Sequence, residues 1–297
     1  MTPTTHHRET QTLEPIAIGG VGGSGTRAVA AVLQKLGLNI GSALNESLDD
    51  LLFTLFFKRR RLWPLESHHD DCAEALDFYL RARGALPRDQ ARWKGDVEHF
   101  LAKLPRDHRW QREEALSARR DYLLADQPPL QGPWGWKEPN THIVLPFLLK
   151  ALPKLRYVHV VRHGLDMAYS ANQNQLETWG DCLVPAQADM PPARASFDYW
   201  CAVHQRILRL ARAATDRILI LNYDLLCADP ETEIRTLLGF MNPASDKHFS
   251  DANVLLGESI EELAPPGSIG RHREQDPFPI RDDQQQLLQD LGFSGGW

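Results

Sequence analysis

Residues 15–38 read PIAIGGVGGSGTRAVAAVLQKLGL. Pro15-Ile16-Ala17-Ile18 is a short apolar run ending in glycines, the pattern of a buried strand. From Arg27 to Leu38 the apolar residues recur at helical spacing, and Gly37 suits a C-cap. Between strand and helix lies a glycine loop, Gly19 to Arg27. Glycine lets the backbone take left-handed angles and come close to a ligand. Successive N–H groups then point inward as an anion nest, and the helix N-terminus adds partial positive charge. Ser24 and Thr26 supply hydroxyl donors and Arg27 a full charge. Gly22, Gly23, Ser24, Gly25, Thr26 and Arg27 are therefore expected to hold a phosphate or sulfate group.

Two familiar glycine patterns fit this loop only in part. Against GxxxxGK[ST], Gly20 and Gly25 match, but Thr26 stands for the Lys and Arg27 for the Ser/Thr. The loop thus lacks the ammonium that neutralises a terminal phosphate and the hydroxyl that ligates Mg²⁺, which argues against an ATP or GTP hydrolase. Gly20-x-Gly22-x-x-Gly25 has dinucleotide spacing, yet Glu46, near the required acidic offset, lies in a segment without strand character.

Further strands follow downstream. Leu155 to Val161 (LRYVHVV) is rich in β-branched residues, and Ile218 to Leu221 (ILIL) is a shorter apolar run. Helices are expected from Leu165 to about Gln175, from Ala193 to Ala214 with Phe197, Trp200, Val203, Ile207 and Leu210 on one stripe, and from Pro230 to about Met241. Residues 45–127 read as mostly helical, broken at Pro64, Pro87 and Pro105. Alternating strands and helices predict an α/β fold, a three-layer sandwich around a mostly parallel sheet. No repeat or flexible linker divides the chain, so one domain is expected over 1–297, with a polar tail at 1–14 and a helical insert at 45–130.

Composition narrows the function. The 297 residues carry 33 Lys+Arg against 39 Asp+Glu, a net charge of −6, which excludes binding of nucleic acid through bulk charge. Lys58 to Arg120 holds 15 basic against 11 acidic residues, leaving −10 for the remainder. The run Lys58-Arg59-Arg60-Arg61 reads as a solvated helix face. Cys72, Cys182, Cys201 and Cys227 are scattered without metal spacing, as in a protein of reduced thiols. Met1 to Glu14 has no apolar signal core, and no apolar run is long enough to span a bilayer. Together these predict a cytoplasmic protein without a membrane span.

A second anion motif follows the Leu155–Val161 strand. Arg162 closes that strand, and the helix after it carries Ser170 back towards the strand end. An Arg fork with a Ser hydroxyl suits one phosphate group. Beside the glycine loop it makes a two-phosphate site along one sheet edge.

With both motifs in view, the sequence resembles the sulfotransferases that use 3'-phosphoadenosine 5'-phosphosulfate (PAPS), whose fold is P-loop-NTPase-like. Ser24-Gly25-Thr26 is similar to their 5'-phosphosulfate loop, and Arg162-His163-Gly164…Ser170 to their 3'-phosphate segment. Trp136-Lys137-Glu138-Pro139, Asn222-Tyr223-Asp224-Leu225-Leu226…Asp229-Pro230 and Ser268-Ile269-Gly270-Arg271-His272-Arg273 resemble further family segments, in order along the chain. The resemblance implies PAPS as donor, leaving as 3'-phosphoadenosine 5'-phosphate. It also implies no metal, a small-molecule or glycan acceptor, and Arg271 and Arg273 as further nucleotide contacts. Where many members carry Lys or Arg just before SGT, this chain has Gly23.

Sulfuryl transfer needs an acceptor held in line, a base near it and a cation near the leaving phosphate. Lys137 is the leading candidate for the cation, with Arg27 second. For the base the candidates are Glu138, slightly preferred as the neighbour of Lys137, then His142, with Glu46 and Asp49 also possible. The competing readings are a P-loop nucleotide or small-molecule kinase and a non-catalytic nucleotide-binding homologue. Residues 45–130 and 176–192 are expected on the acceptor side, with Phe53, Phe56, Phe57, Trp63 and Trp93 serving mostly as packing.

Overall fold

Four strands, β1 (Ile16–Gly20), β2 (Gly135–Lys137), β3 (Arg156–Val161) and β4 (Ile218–Asn222), form one sheet in the order β2-β1-β3-β4, with every neighbouring pair parallel. The computed structural model describes residues 10, 12–103, 113–125, 130–185, 190–241, 263 and 266–293. Most of the polar tail, Pro105 and the predicted acceptor-side residues 186–189 fall outside them. The helices are α1 (Thr26–Lys35), α2 (Leu51–Phe57), α3 (His69–Ala82), α4 (Gln90–Ala102), α5 (Glu113–Leu124), α6 (Thr141–Ala151), α7 (Gly164–Ala168), α8 (Asn174–Leu183), α9 (Pro192–Ala213), α10 (Tyr223–Ala228), α11 (Pro230–Met241) and α12 (Asp282–Asp290).

Alternation along the strands sorts their side chains onto two faces. Ile16 and Ile18 of β1 and Val158 and Val160 of β3 join Val29 and Leu33 of α1 and Ile234 and Leu237 of α11 in one core. Ala17 and Tyr157 turn the other way, to Phe53 and Phe56 of α2, Leu148 of α6 and Trp200 and Ile207 of α9. A sheet covered on both faces explains why β1 and β3 read as nearly continuous apolar runs. Burial of each such aliphatic or aromatic side chain contributes about 1.5–3 kcal/mol.

The sequence-based reading needs three corrections. The run Lys58-Arg59-Arg60-Arg61 is not a solvated helix face, because it follows the end of α2 and Arg59 is buried. Gly135-Trp136-Lys137 is itself an edge strand, not merely a segment that precedes one. The single helix expected from Leu165 to Gln175 is two, because α7 ends where the Gln173 side chain takes over its carbonyls. Gln173 Nε2 donates to Met167 O at 3.2 Å and to Ser170 O at 2.7 Å.

Helix α6 contains Pro146, which has no N–H to offer the carbonyl of His142. Arg206 of α9 substitutes for it, donating from Nη1 to His142 O at 2.6 Å and from Nη2 to Ile143 O at 2.9 Å. The helical region after α1 packs as expected. Phe53, Phe56, Phe57 and Trp93 are buried, Phe53 stacks on Trp136 with centroids 5.2 Å apart, and Trp63 lies under the Arg206 guanidinium.

Among the described residues no helix is long and apolar enough to cross a membrane, and the four cysteines are free.

Candidate functional site

All four strands end at one edge, and each end contributes to the same cavity of about 300 Å³. Beyond β1 come Gly22, Gly23, Gly25, Thr26 and Arg27. Lys137 is the last residue of β2, Arg162 follows β3, and Tyr223 follows β4. Ser47, Asp49, Pro139, Asn172 and Pro266 complete the wall.

The glycines of the loop are required by geometry. Gly23 and Gly25 sit at φ +94° and +96°, the left-handed region that other residues rarely adopt. A Cβ on Gly25 would stand 2.3 Å from the Tyr223 ring, and one on Gly23 would lie 3.5 Å from Ser170 Oγ. The loop therefore packs directly on the second anion motif. Among the described residues, no hydrogen bond takes up the N–H groups of Gly22, Gly23, Gly25, Thr26 or Arg27. Ser24 Oγ and Arg162 Nε are buried without a partner. Buried polar groups left open in this way fit an anionic ligand with several acceptor oxygens.

Arg162 is otherwise well fixed. Its carbonyl accepts from Trp200 Nε1 at 3.2 Å, and its Nη2 donates to Ser268 Oγ at 2.8 Å. Ser170 Oγ accepts from the Asn172 backbone at 3.2 Å. Arg271 and Arg273 stand on the turn beyond Ser268, Arg271 half-buried and Arg273 exposed. Neither lines the cavity.

Lys137 is 2% exposed, and its Nζ donates to Ser47 O at 2.9 Å and to Asp49 Oδ1. The turn carrying both acceptors is tight, with Leu48 between them at φ +61°. A left-handed leucine costs about 1–2 kcal/mol, so this turn is held rather than merely preferred. Asn45 holds it, donating from Nδ2 to Asp49 Oδ2 at 2.9 Å.

Behind the pair is a buried ionic network. The Asp50 backbone donates to Lys137 O at 2.7 Å. Its carboxylate caps α2 and accepts from Tyr79 Oη and Arg83 Nη1, each at 2.8 Å. Arg83 also donates to Ile40 O at 2.9 Å and Gly135 O at 3.0 Å. The network ties α2 and α3 to β2, so the backbone beside Asp49 and the Lys137 strand share one set of anchors. Tyr79→Phe removes one bond to a buried carboxylate and is expected to lower unfolding free energy by about 1–2 kcal/mol. Urea denaturation checks this, and an unchanged midpoint would show that Tyr79 carries no part of the network.

The other two predicted catalytic residues face elsewhere. Glu138 is buried, and both its oxygens are engaged by Asn140, from the backbone N–H at 2.6 Å and from Nδ2 at 2.8 Å. Burial raises its carboxyl above the ordinary value, against the lowering effect of Lys58. His142 is also buried. Its Nε2 meets Gln175 Oε1 at 3.0 Å, and Gln175 Nε2 donates to Gly20 O at 3.0 Å. Burial pulls the His142 ring down to about 3, so it is neutral at pH 7. Neither residue lines the cavity. Glu46 is exposed and is also outside the lining. Asp49, named only as a further possibility, is on the wall. Asn172, Ser47 and Tyr223 were not singled out for the site; only Tyr223 had a signal, its place in the stretch Asn222…Pro230. Among the described residues no group of three His, Cys, Asp or Glu is arranged to hold a metal ion.

Comparison with known proteins bears on the fold and the family. The sulfotransferase domain of the Synechococcus PCC 7002 olefin synthase has the same fold, with a TM-score of 0.50 at 17% identity over 96% of this chain and 97% of that one. A sulfotransferase from Mycobacterium avium aligns with a TM-score of 0.43 at 15% identity, over 96% of this chain and 78% of that one. No curated protein matches the chain. Residues 15–245, from the first strand through α11, match the sulfotransferase family, and the chain belongs to that family.

Proposed function

We propose that the protein transfers a sulfuryl group from PAPS to a hydroxyl or amine of a small-molecule or glycan acceptor. The observation that carries this reading is the meeting of two anion motifs, through Gly23 and Ser170, at a cavity whose wall also bears the Lys137–Asp49 pair. PAPS, when bound, supplies the activated sulfuryl group. The glycine loop with Ser24, Thr26 and Arg27 would hold its 5' end, and Arg162 with Ser170 its 3'-phosphate. Arg271 and Arg273 would add charge from the turn above.

Transfer forms a bond from the acceptor atom to sulfur and breaks the bond from sulfur to the bridging oxygen. Lys137 stabilises the negative charge that builds on that oxygen, the role that a Lys or Arg at the Gly23 position would otherwise play. Asp49 receives the acceptor proton as the new bond forms. Glu138 and His142 act in this scheme through the backbone. Glu138 fixes the Pro139–Asn140 turn, and His142 holds Gln175 on Gly20. The chain's own donors suffice for the scheme, without a metal.

Titration with 3'-phosphoadenosine 5'-phosphate and with adenosine 5'-phosphate tests the donor assignment. Arg162→Ala and Ser170→Ala are expected to weaken the first roughly tenfold to a hundredfold, as for loss of a hydrogen bond to a charged group, and the second much less. Equal losses on both nucleotides would sink the assignment of Arg162. Incubation of the wild type with labelled PAPS and an acceptor library tests the reaction. Binding without transfer to any acceptor or to water would favour a non-catalytic homologue. Protection by ATP with Mg²⁺ in place of the bisphosphate would favour a kinase.

A further inference from the structure

We infer that Asp166 is a positioning residue for 3'-phosphate recognition, latching the turn at residues 266–274 onto α7 and thereby fixing Arg162 from the outside. The inference rests on the donor assignment above for the identity of the anion.

Asp166 lies in α7 between Arg162 and Ser170, is 1% exposed, and is not part of the cavity wall. A carboxylate so deeply buried needs full compensation. It obtains this from one short segment far along the chain. Oδ2 accepts from the Gly270 N–H at 2.7 Å. Oδ1 accepts from the His272 N–H at 3.1 Å and meets His272 Nδ1 at 2.7 Å. Burial alone would raise this carboxyl, but these donors together hold it below its ordinary value. Gly270 takes φ +78°, which wraps the chain so that both N–H groups reach one carboxylate.

The His272 ring is held on its face as well as its edge. It stacks on His163 with centroids 4.6 Å apart and planes 5° from parallel. Two residues back from Gly270, Ser268 Oγ accepts from Arg162 Nη2 at 2.8 Å. Arg271, on the same turn, donates to Ser268 O at 3.2 Å and to Tyr169 O at 3.4 Å, and lies within electrostatic reach of Arg162. The turn therefore aims one guanidinium and adds a second beside it. Two adjacent guanidiniums repel, an arrangement suited to a dianion that draws both. Ile269 is exposed, and Asp166 is the turn's buried charged anchor, beside the Arg162–Ser268 and Arg271–Tyr169 hydrogen bonds and the His163–His272 stack.

The test uses the full chain, with 3'-phosphoadenosine 5'-phosphate and adenosine 5'-phosphate as probes and the ratio of their dissociation constants as readout. Asp166→Asn presents an amide where an acceptor is needed, and the preference for the 3'-phosphate is expected to fall roughly tenfold to a hundredfold. Affinity for adenosine 5'-phosphate should be kept. His272→Phe preserves the stack on His163 but removes the ring donor, so a smaller fall in the same ratio is expected. This variant also covers the case in which Asp166→Asn does not fold. A uniform loss for both nucleotides, or a lower melting temperature with the ratio unchanged, would reduce Asp166 to a structural role and overturn the proposal. If the wild type does not prefer the 3'-phosphate, the donor assignment fails instead. Trypsin then reads the latch without nucleotide. Cleavage after Arg271 or Arg273 should be faster in either variant, and unchanged cleavage overturns the latch.

Discussion

Lys137→Ala is expected to lower kcat by about two to three orders of magnitude, with nucleotide affinity mostly retained, as for loss of a preorganised donor at the site of developing charge. The reason is local. The glycine at position 23 offers no cation, Arg27 is exposed, and Lys137 is the buried ammonium on the cavity wall. Its resting partners, Ser47 O and Asp49, hold Nζ in place before substrate arrives, so little reorganisation remains for the transition state. Lys137→Arg keeps the charge but sets a planar fork where a compact ammonium sits, and should recover only part of the rate. Single-turnover measurement with labelled PAPS separates the chemical step from binding. Turnover of Lys137→Ala within a few-fold of wild type would remove Lys137 from the mechanism.

Mild acid is expected to destabilise the fold steeply. His142, His159 and His204 form a row beneath the sheet, with ring centroids 6.1 and 5.1 Å apart. All three are buried, and each has one ring nitrogen without a partner. Burial pulls His142 down to about 3 and His204 to about 4, and holds His159 well below its ordinary value. Well above pH ~6.5 both folded and unfolded chains hold these rings neutral, so they contribute nothing to the pH dependence there. Below it the unfolded chain takes up protons that the folded chain refuses, and stability falls with pH by ~1.4 kcal/mol per unit for each ring. His142 and His204 alone should remove about 3 kcal/mol between pH 6.5 and 5, and His159 steepens the loss. Glu138, raised by burial, works in the opposite sense through its own titration range. Urea midpoints measured across this range check the slope. A flat profile down to pH 5 would mean that the row is hydrated or already charged in the native state.

The parts of this molecule that the sequence makes legible are those written locally. A strand, a glycine loop and a helix are contiguous, and β3 and β4 are short runs of β-branched and aliphatic residues with both faces covered. What escaped was set by partners distant in sequence. β2 is only Gly135-Trp136-Lys137, too short to show a period, and pairing with β1 is what makes it a strand. Asp49 has no motif around it; its place depends on a turn with a left-handed leucine and on a lysine met across the fold. Glu138 was attractive because it adjoins Lys137, yet it lies past the end of β2, where the chain turns and its carboxylate is taken by Asn140. The split between α7 and α8 depends on a glutamine side chain competing for helix carbonyls, which no propensity scale records.

The strand ends that converge on the cavity also divide the molecule into parts of unequal freedom to change. The glycine loop, Lys137, Arg162 and Tyr223 are each fixed by the register of a sheet in which a one-residue slip would turn every side chain to the wrong face. Ser47 and Asp49 belong instead to the later part of the crossover between β1 and β2, beyond α1, whose ties to the sheet include the Asp50–Arg83 network and the Phe53–Trp136 stack. So long as those two anchors are kept, the crossover is the natural unit of exchange. A different set of helices grafted between Asn39 and Trp134, where the chain enters and leaves the sheet edge as a paired bridge, would reshape one wall of the cavity and leave the strand-end residues as they are, provided the graft kept Ser47 and Asp49 on Lys137.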